Sequence, residues 1–354
     1  MTKPDAYVLG NNKDFTLTFI QVICALAVVT LHTNICFWEF SATERYWFTA
    51  NIIECVFYFA VPVFFMITGI TLIDYQDKYT TLEFFKRRIR KSVVPYIAWS
   101  SIGVVFLVAT KSIPARQVTA SWIIAGLLST NGIIGVYWFF KPLYCAYLSI
   151  PLFSAVEKEK KKRMAEYLLI ISFLINILPP FLTSVLHSGF VWPYEISVVS
   201  GILFWVWGGY YLYYYPPGKI QKTILIGLSA LGLLLHIIGT YAASVQAGSL
   251  QQLYKGYTNL PCVLYVPGVF CVLRKTAEKI AGFDRLKRMI ECLGKYTFSV
   301  YLLHWFVLRL MDFTNIFDYH SIIYRLFAPF LVYGLVSMIV WFMRKNRWLA
   351  RIVP

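Results

Sequence analysis

The chain has 354 residues, of which 58% are hydrophobic, 18% aromatic and 14% charged, and it carries a formal net charge of +16. Soluble domains carry about 25% charged residues, so a water-soluble globule of this size is excluded, and the lack of short alternating apolar segments excludes a membrane barrel. The basic residues sit in short clusters between apolar runs, a pattern that marks membrane topology and contact with anionic lipid rather than binding of nucleic acid.

The apolar runs are long enough to cross roughly 30 Å of hydrocarbon as helices. The chain therefore reads as an all-α integral membrane protein, one domain over 1–354 with about ten spans. In chain order these are 15–37, 51–73, 92–110, 135–156, 165–186, 196–215, 221–243, 257–273, 296–311 and 321–343. The first run begins near Phe15 and is too long for a cleavable signal peptide. Segment 119–130 is apolar but short, and is expected to be interfacial or re-entrant rather than an eleventh crossing. Alternating the loops from a cytoplasmic N-terminus places most basic residues inside: Lys3 and Lys13, the cluster Lys86 to Lys91, the cluster Lys158 to Arg163, and the groups after residues 273 and 343. Both termini are thus expected in the cytoplasm, and the protein in the cell membrane. Lys255 falls in an outer loop, while Trp38, Trp47, Trp192 and Tyr194 are expected at interface depth. The seven cysteines show neither disulfide nor zinc-ligand spacing, and no metal is expected.

Ionisable groups inside hydrocarbon cost about 2.5–3.5 kcal/mol each on insertion scales, so each needs a reason. Those here are His32, Glu54, Lys141, His236, His304 and Arg309, with Gln21 as an uncharged relative. His32 lies towards the outer end of the first span. Gln21 precedes it by about three helical turns, so the two share a face roughly 16 Å apart. A lone membrane histidine most often serves helix contact, and that phasing makes His32 a better functional candidate than a lone one. His304 stands near mid-membrane and reads equally as packing or as support for a site. Glu54 reads equally as pairing with a base or orienting the histidine and as snorkelling to the interface. His236, in LLLHIIG, reads as structural, and Lys141 as reaching for the interface. The run FFKRRIRKSVVPY puts five cations in six residues at a membrane edge. It serves topology, and it also suits a phosphorylated carrier, because arginine pairs bidentately with phosphate.

Taken together, these features resemble the acyltransferase 3 family of membrane O-acyltransferases, which modify surface glycans and antibiotics. Five pieces carry the likeness along essentially the whole chain. The family's first-span Arg-x10-His spacing appears as Gln21-x10-His32. VPVFFMITGITLI at 61–73 is similar to its second span. Arg87 and Arg90 before Pro95 match an Arg-x-x-Arg motif, YWFFKPLYCAYLSIP at 137–151 matches a fourth-span signature, and Thr297 to His304 matches a late histidine pattern. The likeness is greatest to single-domain members of the enterobacterial common antigen O-acetyltransferase type.

The resemblance implies transfer of an acyl group, by default acetyl, from acetyl-CoA or another acyl-CoA to a hydroxyl of a glycan or lipid-linked sugar. His32 is then the general base, Arg87 and Arg90 hold the donor, and Arg88 and Lys86 stand beside them. Gln21, Glu54, His304, Tyr137 and Trp138 are expected around the histidine. Gln21 departs from the family's arginine, and a neutral amide supplies no charge to a phosphate. A transporter or export component built on the same spans remains the alternative.

Overall fold

Phe15 opens nineteen residues with no charge other than His32, and they form helix α1 (Phe15–Thr33), most of whose residues are buried by neighbouring helices. The computed structural model of the chain describes residues 15–186 and 189–354, so Lys3 and Lys13 lie outside the described residues. Among those described, all regular structure is helical.

After a short 3-10 turn come α2 (Arg45–Phe57) and α3 (Ala60–Leu72). These two are one apolar stretch broken at Tyr58–Phe59. Pro62 has no N–H to give the Tyr58 carbonyl, so the helix yields one turn before it. The basic run forms α4 (Thr81–Arg88), capped by the Thr80 hydroxyl accepting from the Glu83 N–H at 3.3 Å. A π turn over Ile89–Val93 joins α4 to α5 (Val94–Ala109). Pro95 again withholds an N–H from the preceding turn, and the wider turn is closed by Val94 N–H donating to the Ile89 carbonyl.

Then follow α6 (Ala120–Ser129), α7 (Phe140–Ser154), α8 (Lys158–Ile171), α9 (Leu178–Val185), α10 (Leu203–Tyr214), α11 (Lys219–Ala247), α12 (Leu260–Ile280), α13 (Asp284–Gly294), α14 (Thr297–Phe313) and α15 (Ile322–Met343). Seven helical stretches are long and apolar enough to cross a membrane: Phe15–Thr33, Arg45–Asp77, Thr81–Ala109, Lys158–Val185, Lys219–Ala247, Leu260–Ile280 and Ile322–Met343. The other three expected spans fall on the shorter α7, α10 and α14, of 15, 12 and 17 residues. Helix α6, in the expected short segment, has 10 residues, about 15 Å of helix and too little to cross. It ends where Thr130 adopts a left-handed φ of 66°. Helix α13 lies in what reads from sequence as a basic loop. It is amphipathic, and its Gly294 closes against Thr18 of α1.

Helices pack in lipid by close approach at small residues rather than by expulsion of water. The tightest approach is between α3 and α10: a Cβ on Gly69 would collide with the Val206 carbonyl, and one on Gly209 with the Met66 backbone. Because backbone cannot swing aside, Gly209→Ala is expected to cost about 1–3 kcal/mol, read as a lower unfolding midpoint of the detergent-solubilised protein. Next to this seam, Lys161 and Asp74 form a buried ion pair of 2.6 Å, with Tyr210 donating to the same carboxylate at 3.3 Å.

Trp47, expected at an interface, is fully buried and donates its indole N–H to the Phe37 carbonyl at 3.0 Å. Five cysteines are buried, whereas Cys145 and Cys292 are exposed.

Candidate active site

The core face of α1 borders a cavity of about 320 Å³ lined by both Gln21 and His32. Eleven residues separate them, about 16 Å along the axis. Helix α3 lines the same cavity from Val61 to Leu72, so the space is elongated along the helices. One end holds Glu54, Lys255 and Trp38; the other holds Arg88 and Leu72.

His32 meets His304 of α14 with ring centroids 5.0 Å apart and planes tilted by 34°. His304 is fully buried. Its Nδ1 lies 2.7 Å from the Tyr301 carbonyl and 3.1 Å from that of Val300. Carbonyls only accept, so Nδ1 carries the proton and Nε2 is left as a buried lone pair with no partner. The chain before α7 and helix α14 are clamped reciprocally. Tyr137 donates to the Leu302 carbonyl at 2.8 Å, and Tyr301 donates to the Val136 carbonyl at 2.7 Å. Tyr137 is therefore a brace for the His304 helix and does not line the cavity, whereas its neighbour Trp138 does.

The end of α1 is anchored from the far end of the chain. The Thr33 hydroxyl donates to the Arg325 carbonyl at 3.1 Å, and the Arg325 guanidinium donates to the Asn34 amide oxygen at 3.3 Å. Arg325 is fully buried on α15; it also donates to the Thr49 hydroxyl at 2.8 Å and to the carbonyls of His320 and Tyr46. Asn34 in turn donates to the Ala50 carbonyl at 2.9 Å and weakly to Glu54 at 3.5 Å. Glu54 is paired at 2.9 Å with Lys255, both side chains almost wholly buried. Lys255 and Arg325 were invisible as site residues in sequence, the first in a loop and the second at a helix end. Their only signal was a cation flanked by aromatic residues.

The basic segment divides by helix face. Arg88 lines the cavity, its guanidinium 5.7 Å from the Tyr147 ring, and its Nε is buried without a partner. Arg87 is turned away, paired with Glu83 at 2.8 Å over the Tyr79 ring. Lys86 and Arg90 are exposed. Lys141 is exposed, and Arg309 faces Asp312 at 3.9 Å. His236 is buried edge-on to Tyr58, outside the cavity, with both ring nitrogens unpartnered. Among the described residues, no three His, Cys, Asp or Glu side chains gather to hold a metal ion.

Chemically, the cavity offers an imidazole with a second imidazole behind it, a cation at one end, and a compensated ion pair among aromatic rings at the other. No curated protein and no solved structure matches the chain. The acyltransferase-domain model of the acyltransferase 3 family does match, over residues 15–344. The chain therefore belongs to the acyltransferase 3 family and is a multi-pass membrane acyltransferase.

Proposed function

We propose that the protein transfers an acyl group, acetyl by default, from cytoplasmic acyl-CoA to a hydroxyl of a cell-surface or lipid-linked glycan at the cell membrane. His32 is the general base. The observation that carries this reading is one cavity lined by Arg88, Gln21 and His32, in which Gln21 and His32 stand about 16 Å apart, the reach of a pantetheine arm.

A sugar hydroxyl does not ionise near neutrality, so it needs a base at hand as it attacks. In this reading, His32 accepts the hydroxyl proton while the oxygen bonds to the thioester carbonyl carbon and the carbon–sulfur bond breaks. His32 then returns the proton to the departing thiolate. Arg88 supplies the cation for the donor's phosphate end, the role the family's motif suggests for Arg87 and Arg90. Gln21, between Arg88 and His32, offers amide hydrogen bonds to an amide-containing arm. His304 is a positioning residue: its ring lies 5.0 Å from that of His32, and its unpartnered Nε2 can accept an N–H of His32 when the two rings close up, which leaves the other nitrogen basic.

His304→Leu should lower transfer by more than tenfold. His304→Gln, which restores a polar atom near the Nε2 position, should recover part of that loss; equal loss in both would reduce His304 to packing.

The reading as a whole is tested by mass spectrometry of surface glycans from intact, deletion and His32→Ala cells. Loss of acyl mass from glycan that is still exported supports the enzyme. Loss of the glycan itself in the deletion, with export unaffected by His32→Ala, supports the transporter alternative instead.

A further inference from the structure

Glu54 and Lys255 present an energetic puzzle. A buried ion pair barely repays its desolvation, so apolar residues of similar size would stabilise the bundle as well or better. Yet both groups line the cavity rather than the packed core. The Lys255 ammonium sits 4.5 Å from the Trp38 ring centroid, 4.7 Å from Tyr58 and 5.1 Å from Phe37. Beside the pair, Trp138 and Tyr257, which also line the cavity, stack at 5.5 Å and 14°. Tyr58 continues the stack below Tyr257 at 4.3 Å and 9°.

We infer that this end of the cavity is the acceptor subsite, built for a neutral pyranose ring that offers neighbouring hydroxyls. This rests on the acyl-transfer reading and deepens it.

Three features select that ligand. The ion pair carries no net charge, so it does not attract phosphate or carboxylate as the unpaired Arg88 does. Carboxylate and ammonium stand 2.9 Å apart, about the separation of hydroxyls on adjacent ring carbons. One hydroxyl can then donate to Glu54 while its neighbour accepts from Lys255, each bond strengthened by charge. The apolar C–H face of the sugar finds indole surface on Trp138 and Trp38, the first backed by the Tyr257–Tyr58 stack, rings suited to a ligand with one apolar and one polar side. His32 lines the same cavity, where a third hydroxyl can reach it. Sites that hydrogen-bond a hydroxyl also discriminate strongly against analogues lacking it, because their buried polar groups are left unpaired.

The test is saturation-transfer NMR on the full chain in lipid nanodiscs, without donor. Methyl glycosides of glucose and N-acetylglucosamine serve as probes, with the 2-deoxy glucoside for comparison. Wild type should transfer saturation to the ring protons, and at least threefold less to the deoxy sugar. Trp138→Leu and the double variant Glu54→Gln/Lys255→Met should lose at least threefold. The double variant removes both charges together and so leaves no unpaired ion to unfold the bundle. Arg116→Ala, at an exposed cation outside the cavity lining, serves as a charge-loss control and should leave the signal unchanged.

No transfer to any glycoside in wild type, or signals unchanged in both the Trp138 and the double variant, would overturn the subsite. If glycosides bind as expected but labelled acetyl-CoA yields no acylated sugar in the same nanodiscs, acyl transfer fails while the subsite stands. If acylation proceeds and ignores these residues, the subsite alone fails.

Discussion

His32→Ala is expected to lower acyl transfer by about 10²–10⁴-fold, the usual contribution of a positioned general base, while the protein accumulates and inserts normally. The ring lines the cavity, contacts the buried His304 behind it and anchors no helix; the neighbouring Thr33 and Asn34 hold the end of α1. The measurement is transfer from labelled acyl-CoA in proteoliposomes, with thermal unfolding followed in parallel. Retained transfer in a folded variant would remove His32 from the chemistry.

Arg88→Ala should raise the KM for acyl-CoA about ten- to a hundredfold. A hydrogen bond to a charged group is worth about 1.5–3 kcal/mol, and each 1.4 kcal/mol is tenfold in affinity. Arg87→Ala, which breaks an exposed pair with Glu83 and a contact with the Tyr79 ring, should change it by less than about threefold. This contrast separates the geometry from the motif, because the family spacing points to Arg87 and Arg90. Equal losses at Arg87 and Arg90, with none at Arg88, would put the donor on the outer rim of the basic segment instead.

Much of this architecture could be read before any coordinates, because hydrocarbon is an unforgiving solvent. Long uncharged runs, proline breaks and costly polar groups stand out against it, and so His32, Gln21 and Glu54 emerge from sequence as members of one region. The structure places all three on one cavity. Arg88 was partly legible. Arg87 and Arg88 stand three and four residues after the buried Phe84, so spacing brings both near its face, and only the fold sends Arg88 to the cavity and Arg87 to Glu83 and Tyr79. Lys255 was not legible, because a cation between spans looks the same whether it meets water or folds back under Trp38 onto Glu54. Nor was the role of Tyr137. A fourth-span signature tells that the tyrosine recurs, but only the contact with Leu302 shows that it braces a helix 165 positions away.

The anchoring of α1 by Arg325 has a consequence for how the protein is made. His32 leaves the ribosome long before the groups that fix its surroundings, His304 on α14 and then Arg325 on α15. Until α15 inserts, Asn34 lacks its guanidinium and Thr33 the Arg325 carbonyl, so the end of α1 is held through Asn34 and the Ala50 carbonyl of α2. On the proposed reading, a chain that has not yet inserted α14 and α15 holds His32 without the groups around it, so acyl transfer awaits those two helices.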